Sequence, residues 1–346
     1  MLAYHTHLNE TLKPAPPHTP LVLDLFAGCG GLALGFEACG FATVGFEKNP
    51  EACATYNRNL TGQCHHVNLT LDTPLPQASI IIGGPPCQPF SVGGHQLGIN
   101  DPRNGIPIFL HAVEQNQPDI WILENVRGLL YRNHWYFQHI LQQMRGLGYI
   151  VDYRLLNAAW FGVPQSRERL FIVGHRGRFA FPASIGTQVT VADAIGDTAL
   201  LDLPEAKFLT PSMDTYIAKY ERASKCSIPR DLHLDKVART VTCRNLAGAT
   251  GDMLRVRLPD GRRRRLVVRE GAWLQSFPGW FEFSGSETAQ YNQIGNAVPP
   301  LLAYRLAQSV RAYLGGNTHT IANISSQTLS LAEKSIEVHQ MEPALE

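Results

Sequence analysis

The sequence predicts an α/β fold in which a doubly wound, Rossmann-like sheet carries a smaller β-rich domain. Three observations support this prediction. Apolar runs alternate with helix patterns from residue 21 to residue 173, and most of these runs are apolar at nearly every position, as in buried parallel strands. A glycine-rich turn at residues 27–31 separates the first strand from the first helix. After His175 the alternation fades and basic residues accumulate.

The first strand, residues 21–26, leads through the glycine turn into a helix that begins at Leu32 and ends at Gly40. Backbone N–H groups at such a turn approach a ligand closely, although the glycines lack the Gly-x-Gly-x-x-Gly spacing of dinucleotide-binding enzymes. The second strand, residues 42–46, is followed by Glu47. An acid at this position suits the ribose hydroxyls of an adenosine ligand. A solvated acid at a strand end is the alternative.

The loop at residues 83–91 follows an apolar strand at residues 80–82 and has Cys87 at its centre. Its glycines and prolines predict a rigid, exposed loop, where a cysteine is either a nucleophile or a turn residue. The further predicted helices are residues 50–60, 106–115 and 135–145, and the further strands are residues 119–123, 151–156 and 170–173. Asp24, Glu47, Cys87 and Glu124 lie at or near strand ends, where open α/β sheets bind their ligands.

Composition indicates an ordinary globular protein of 346 residues, 44% hydrophobic and 17% charged, with net charge +1. No apolar run approaches the length of a membrane span. Residues 1–20 contain four prolines and no apolar signal-peptide core, so we expect a leader. Seven cysteines without a Cys-x-x-Cys pair indicate neither a disulfide framework nor a metal site, and favour the reducing cytoplasm.

Six segments, taken together and in order, resemble motifs of the DNA (cytosine-5) methyltransferases. They are residues 24–32, 84–88, 124–126, 165–169, 269–278 and 293–300. The resemblance implies S-adenosylmethionine as methyl donor and C5 of a flipped-out cytosine in double-stranded DNA as acceptor. It also implies a methyltransferase domain of residues 21–177 and 287–314 and a target-recognition domain of residues 178–286. From residue 315 the tail is rich in Thr and Ser and then weakly amphipathic, so we expect it to be poorly ordered.

The resemblance assigns roles to individual residues. Cys87 is the implied nucleophile, Glu124 holds N3 and the 4-amino group of the base, and Arg169 reaches cytosine O2. Arg167 steadies Glu124 or a nearby phosphate. The implied cofactor-binding residues are Asp24, Phe26, Gly28, Gly30, Gly31, Glu47, Asn68, Pro85 and Asn296. Asn68 stands where the family usually has Asp, so we expect a weaker contact to adenine.

The DNA-binding surface is predicted from charge. Residues 225–270 contain 12 Lys and Arg against 5 Asp and Glu. Within them, residues 254–258 alternate with period two, and a turn signal at 259–261 precedes four arginines. We expect a basic hairpin that faces phosphates, with a solvated hairpin as the alternative. The DNA-contacting candidates are Gln88, Ser91, Thr240, Arg244, Arg263 and Arg264.

The expected partner is double-stranded DNA, bound by a monomer. A cognate restriction endonuclease would act on the same site without a stable complex, unless the enzyme is an orphan methylase. Three alternatives compete with this interpretation. The tRNA-methylating branch shares the core but usually carries a Cys-Phe-Thr signature that the chain lacks. The presence of Cys87, Glu124 and both arginines disfavours a non-catalytic DNA-binding regulator, and the glycine spacing disfavours an NAD-dependent oxidoreductase.

Overall fold

The computed structural model of the protein describes residues 2–86, 104–225, 230–248 and 251–316. Cys87, Gln88 and Ser91 of the predicted nucleophile loop lie outside these ranges, as does the tail from residue 317.

A seven-stranded sheet with the order β3-β2-β1-β4-β5-β8-β6 forms the centre of the fold. All neighbouring strands are parallel except that β8 runs antiparallel to both β5 and β6. The predicted α/β class and its mostly parallel sheet are therefore confirmed. The strands are β1 (His18–Leu25), β2 (Phe41–Glu47), β3 (Gln63–His66), β4 (Ile80–Gly83), β5 (Ile120–Val126), β6 (Ile150–Asn157) and β8 (Glu168–His175).

Helices cover both faces of the sheet because its central strands are apolar at successive positions. In β4, Ile80 and Ile82 pack into the apolar core on one face and Ile81 into the core on the other. The first face carries α2 (Gly31–Ala38), α3 (Pro50–Asn59) and α12 (Pro300–Leu314), and the second carries α4 (Ile106–Asn116), α5 (Gly128–Tyr131) and α6 (His134–Gly146).

The C-terminal part of the described chain packs against the first helix of the sheet domain. A Cβ atom on Gly35 of α2 would lie 2.3 Å from the backbone nitrogen of Tyr304 in α12. The two helices therefore approach more closely here than they could if residue 35 had a side chain. Gly31 is similarly close to the carbonyl oxygen of Val298, at 2.5 Å. Helix α12 follows α11 (Glu287–Asn296) and brings the last predicted motif to the glycine turn.

The N-terminal segment is part of the folded core, which corrects the prediction of a leader at residues 1–20. Residues Leu2–Thr11 form helix α1, and β1 begins at His18. Tyr4, Leu8 and Leu12 are buried in the core that also contains α2. Their spacing of four residues puts them on one helical face. The prediction of a leader was wrong because the prolines on which it depended lie at residues 14–20, after this short helix.

Where the structure describes residues 178–286, they contain more helical than strand residues, so the predicted β-rich domain is not confirmed. Capping residues start these helices: the side chains of Thr190, Thr210 and Thr242 each accept a backbone N–H from the first turn. The helices are α7 (Val191–Ala199), α8 (Pro211–Ala223), α9 (Cys243–Ala247) and α10 (Val268–Leu274).

Short strands complete this region. The predicted basic hairpin exists, with β10 (Arg255–Arg257) antiparallel to β11 (Arg263–Arg265). A second pair, β7 (Gln165–Ser166) and β9 (Ala238–Arg239), is parallel and joins the region to the sheet domain. Among the described residues, the helices are all too short or too polar to span a bilayer.

Candidate active site

The glycine turn lies at the carboxyl ends of β1 and β2, where the sequence predicts the cofactor. The Gly28 N–H donates to Glu47 Oε2 at 2.9 Å, and the Ala27 N–H donates to the Phe46 carbonyl at 3.1 Å. Gly28 and Gly30 have positive φ angles of 56° and 87°, which glycine adopts without strain. The turn is thus anchored to the end of β2 by the predicted ribose-binding acid.

Two features of this turn indicate a ligand site. Asp24 is 1% exposed, and its Oδ2 has no hydrogen-bond partner among the described residues. Burial, followed by the nearby charge of Glu47, raises the pKa of Asp24 well above its ordinary value. Phe26 has a φ of 61°, which is rare for a bulky side chain and is typical of functional sites.

Phe26 connects the glycine turn to the segment that leads to the predicted nucleophile. A Cβ atom on Gly105 would lie 2.8 Å from Cζ of Phe26 and 2.7 Å from Cδ of Pro86. Because Gly105 has no side chain, the Phe26 ring and Pro86 can occupy the space beside it. The Gly105 N–H also donates to the Pro86 carbonyl at 3.0 Å. The residue before Cys87 thus lies next to the cofactor turn.

The predicted acid is at the same edge of the sheet. Glu124, near the end of β5, is paired with Arg169 at 3.1 Å between Oε1 and Nε, and both side chains are largely buried. Its Oε2 lies 3.0 Å from where a Cβ atom on Gly84 would be. Asn125 donates from Nδ2 to the buried Pro85 carbonyl at 3.1 Å. Glu124 is therefore held against residues 84–85, which lead into the loop that contains Cys87.

Burial raises the pKa of Glu124 above the ordinary carboxyl value, whereas Arg169 and, more weakly, Arg167 lower it. Burial also lowers the pKa of Arg169, with Glu124 opposing this effect. A carboxyl group in this setting holds a proton to higher pH than an exposed one and is suited to donate it to a ring nitrogen.

Arg167 does not contact Glu124, which corrects its predicted role. It is 1% exposed, and its guanidinium donates to the carbonyls of Val241 at 2.6 Å, Gly295 at 3.1 Å and Ala297 at 2.9 Å. Arg167 thus connects the residue just before β8 to the residues after β9 and to the end of α11. Its charge reaches Glu124 only through space.

Two buried glutamines extend this polar junction, and sequence reasoning assigned them no role. Gln165 accepts the Val241 N–H at 2.9 Å and donates to the Leu274 carbonyl at 2.8 Å. Gln275 donates to the carbonyls of Ile294 and Ala297 at 2.6 and 3.0 Å. Both lie inside motifs quoted for the family resemblance, which was the available signal.

Comparison with known proteins agrees with this geometry. The family model described as C-5 cytosine-specific DNA methylase matches residues 21–312. The chain belongs to this family. The type II methyltransferase M.AplI of Arthrospira platensis is 54% identical over 90% of this chain and 92% of its own. M1.HphI of Haemophilus parahaemolyticus is 36% identical over 83% of this chain and 86% of its own.

Solved structures show the same fold. A putative DNA modification methyltransferase encoded within a prophage of E. coli superposes with a TM-score of 0.63 at 22% identity, covering 86% of this chain and 100% of that one. EhMeth of Entamoeba histolytica superposes with a TM-score of 0.67 at 18% identity, covering 86% and 99%. The chain is accordingly a DNA cytosine-5 methyltransferase of the type found in restriction–modification systems.

The remaining predicted site residues of this DNA methylase occupy different environments. Asn68 is exposed just beyond β3, and Asn296 is exposed at the end of α11. The Thr240 hydroxyl donates to the Ser166 carbonyl at 2.7 Å, so it holds the residue that follows β9 against β7. Arg244 is exposed on α9. Gly30 and Gly31 are buried at the start of α2.

The hairpin arginines contradict the predicted phosphate contacts. Arg264 is fully buried and forms an ion pair with buried Glu270 at 2.9 Å. The Arg263 side chain is 11% exposed and pairs with Asp214 at 2.6 Å and with Asp231 at 3.6 Å. Both guanidinium groups are thus directed into the protein, because acids from α8, α10 and the loop after α8 pair with them.

Proposed function

We propose that the enzyme transfers a methyl group from S-adenosylmethionine to C5 of a cytosine flipped out of double-stranded DNA, with Cys87 as nucleophile. The observation that carries this proposal is the Glu124–Arg169 pair. It lies against Gly84, three residues before Cys87, at the edge of the sheet that also holds the glycine turn. A base placed there would meet an acid, a cation and the approach to a thiol.

The residues at the glycine turn fit S-adenosylmethionine, because Asp24 has a buried oxygen without a partner and Glu47 presents a carboxylate at the end of β2. When bound, the cofactor supplies an electrophilic methyl group. Asp24 and the turn at Gly28 and Gly30 would hold its methionine portion, Glu47 its ribose, and Phe26 its adenine. Gly31, Asn68, Pro85 and Asn296 remain proposed cofactor contacts.

Cytosine C5 is a poor nucleophile, so the base has to be activated first. The Cys87 thiolate adds to C6, while Glu124 delivers a proton to N3 and Arg169 binds O2. The added electron density makes C5 nucleophilic, so C5 would take the methyl group, with the electron pair of the broken sulfur–methyl bond left on the donor sulfur. N3 returns its proton to Glu124, the C5 proton leaves to solvent, and the electrons of that C–H bond expel the Cys87 thiolate from C6 and restore the aromatic ring. This is covalent catalysis, which divides one difficult step into easier ones.

Two other cysteines, one at each end of α2, are unsuited to that role. Cys29 lies in the glycine turn, and burial raises the pKa of its thiol to about 12. Burial likewise raises the pKa of Cys39 to about 12. Because the thiolate is the reactive form, neither competes with a cysteine in the loop.

DNA binding is proposed to involve Gln88 and Ser91 beside the nucleophile, and Thr240 and Arg244 after β9. Flipping a base costs a few kcal/mol of free energy because the base has to unstack. Contacts with the DNA on both sides of the target are therefore needed to offset this cost. We further propose that the enzyme acts as a monomer and that a cognate endonuclease, where present, shares its DNA site without a stable complex.

The test is methylation of plasmid DNA by the purified enzyme with labelled S-adenosylmethionine, followed by bisulfite sequencing. We expect 5-methylcytosine at one short sequence and none in tRNA treated in parallel. Cys87→Ser should abolish transfer while DNA binding remains, whereas Cys39→Ser, a matched change at a buried thiol, should retain activity. Methyl transfer by Cys87→Ser at the wild-type rate would refute the mechanism.

A further inference from the structure

A surface with exposed aromatic and basic side chains lies where α5 meets α6, directly after the strand that carries Glu124. We name it the α5–α6 surface. Tyr131 is 63% exposed and Trp135 is 55% exposed, although large aromatic side chains are usually well buried. The basic members, Arg127, Arg132 and His134, are also exposed.

The charge of this segment differs from that of the whole chain. The protein has 30 Lys and Arg against 29 Asp and Glu, yet residues 125–151 contain three arginines, two histidines and no carboxylate. Arg127 pairs with Glu168 at 2.8 Å, with both side chains substantially exposed, so this pair is easily exchanged for another anion. Arg132 has no ion-pair partner within the described part of the chain. The surface is therefore suited to bind a polyanion.

The α5–α6 surface lies next to the active site. Val126, immediately before the surface, pairs in the sheet with Arg169, the partner of Glu124. Helix α6 packs on the sheet face that also carries α4, whereas the core containing α7 and the basic hairpin lies on the other face. DNA centred on the active site would therefore meet this surface on one side and residues 178–286 on the other.

We propose that the α5–α6 surface binds the sugar–phosphate backbone of the substrate duplex beside the target cytosine. Arg132 and Arg127 contact phosphates, and Tyr131 and Trp135 pack their rings against deoxyribose or base edges. Interleaved cations and exposed rings are the chemistry that recognises nucleic acid. This inference rests on the proposed function and assigns a second DNA contact, outside the target-recognition segment, to the same site.

The test compares Arg132→Ala and Tyr131→Ala with Arg145→Ala as matched control. Arg145 is an exposed arginine on the same acid-free segment, but it lies at the far end of α6, roughly 15 Å further along the helix axis. Equilibrium binding is measured over a range of salt concentrations, without methyl donor, on a duplex that extends about 10 base pairs beyond the target on each side.

We expect Arg132→Ala to weaken binding equally for target and non-target duplexes, and to reduce the slope of log K against log salt by about 0.9. Tyr131→Ala should weaken binding several-fold at an unchanged slope, because it removes no charge. Arg145→Ala should behave like wild type. For Arg132→Ala and Tyr131→Ala, methyl transfer at saturating DNA should be retained while KM for DNA rises.

Wild-type affinity and slope in both Arg132→Ala and Tyr131→Ala would overturn the proposal. A loss of affinity in Arg145→Ala as large as in Arg132→Ala would do so too, because the effect would then be one of overall charge. These binding measurements require no turnover. Failure of the proposed function would instead appear as absence of methyl transfer by the wild-type enzyme.

Discussion

Replacing Arg264 with alanine tests whether the arginine run of the hairpin is a structural network or a DNA-binding surface. Arg264 and Glu270 are both fully buried and joined by two hydrogen bonds of 2.9 Å. The Arg264 guanidinium also donates to the carbonyls of Leu201 at 3.0 Å, Thr198 at 2.7 Å and Arg265 at 3.1 Å. One side chain thus joins α7, the loop after it and α10.

The expected cost follows from what Arg264→Ala leaves behind. Among the described residues, Glu270 keeps only the Thr198 hydroxyl at 2.7 Å and the Val267 N–H at 3.1 Å as donors. Three carbonyls also lose a buried donor. Removing one partner of a buried ion pair typically costs about 3–5 kcal/mol, because the remaining charge is uncompensated. We therefore expect the free energy of unfolding to fall by that amount.

The assay is urea unfolding followed by circular dichroism, combined with the salt dependence of DNA binding. Arg262→Ala is the control. Arg262 is half exposed, its ion-pair partners among the described residues are the surface acids Asp202 and Asp260, and its guanidinium lies 4.6 Å from the centre of the Phe208 ring, so little stability should be lost. Adding Glu270→Gln to Arg264→Ala should restore part of the loss by removing the unpaired charge. Unchanged stability together with a smaller salt slope in Arg264→Ala would refute this reasoning and restore the phosphate contact.

Three further predictions concern packing and the active-site acid. Leu8→Ala should lower the free energy of unfolding by about 2–5 kcal/mol, measured by urea unfolding, because Leu8 of α1 is fully buried. Gly35→Ala should cost about 1–3 kcal/mol or more by the same measurement, since its Cβ would lie 2.3 Å from the backbone of α12. Arg169→Gln should raise the pKa of Glu124 further, because Arg169 is the strongest influence that lowers it. Carbon-13 NMR titration of labelled glutamate measures that pKa.

The two packing changes have matched controls. Glu10→Ala alters an exposed position of α1 and should be nearly neutral, and equal losses at Leu8 and Glu10 would contradict a docked helix. Gly146→Ala adds a Cβ with nothing within 4 Å and should not destabilise the protein. A Glu124 pKa that falls in Arg169→Gln would show that the pair does not control this acid.

Much of the active site could be predicted because it follows local rules. Apolar runs specify strands buried on both faces, and the carboxyl ends of such strands come together at one edge. Glu47 was therefore expected beside the glycine turn, where it accepts the Gly28 N–H, and Glu124 was expected at the end of its own strand, where it lies against Gly84. The hairpin also follows from its period-two alternation and its turn residues.

The sequence by itself determined six of the seven strands of the central sheet, the edge at which the site forms, and the presence of a basic hairpin, since these depend on near-neighbour patterns. It did not predict β3. Tertiary structure decided where the charges point. Arg264 and Arg167 are buried because carbonyls from distant segments accept their N–H groups, and no local pattern predicts that. Likewise, residues 1–20 were expected to form a leader, and only the fold supplies the core in which Tyr4, Leu8 and Leu12 are buried.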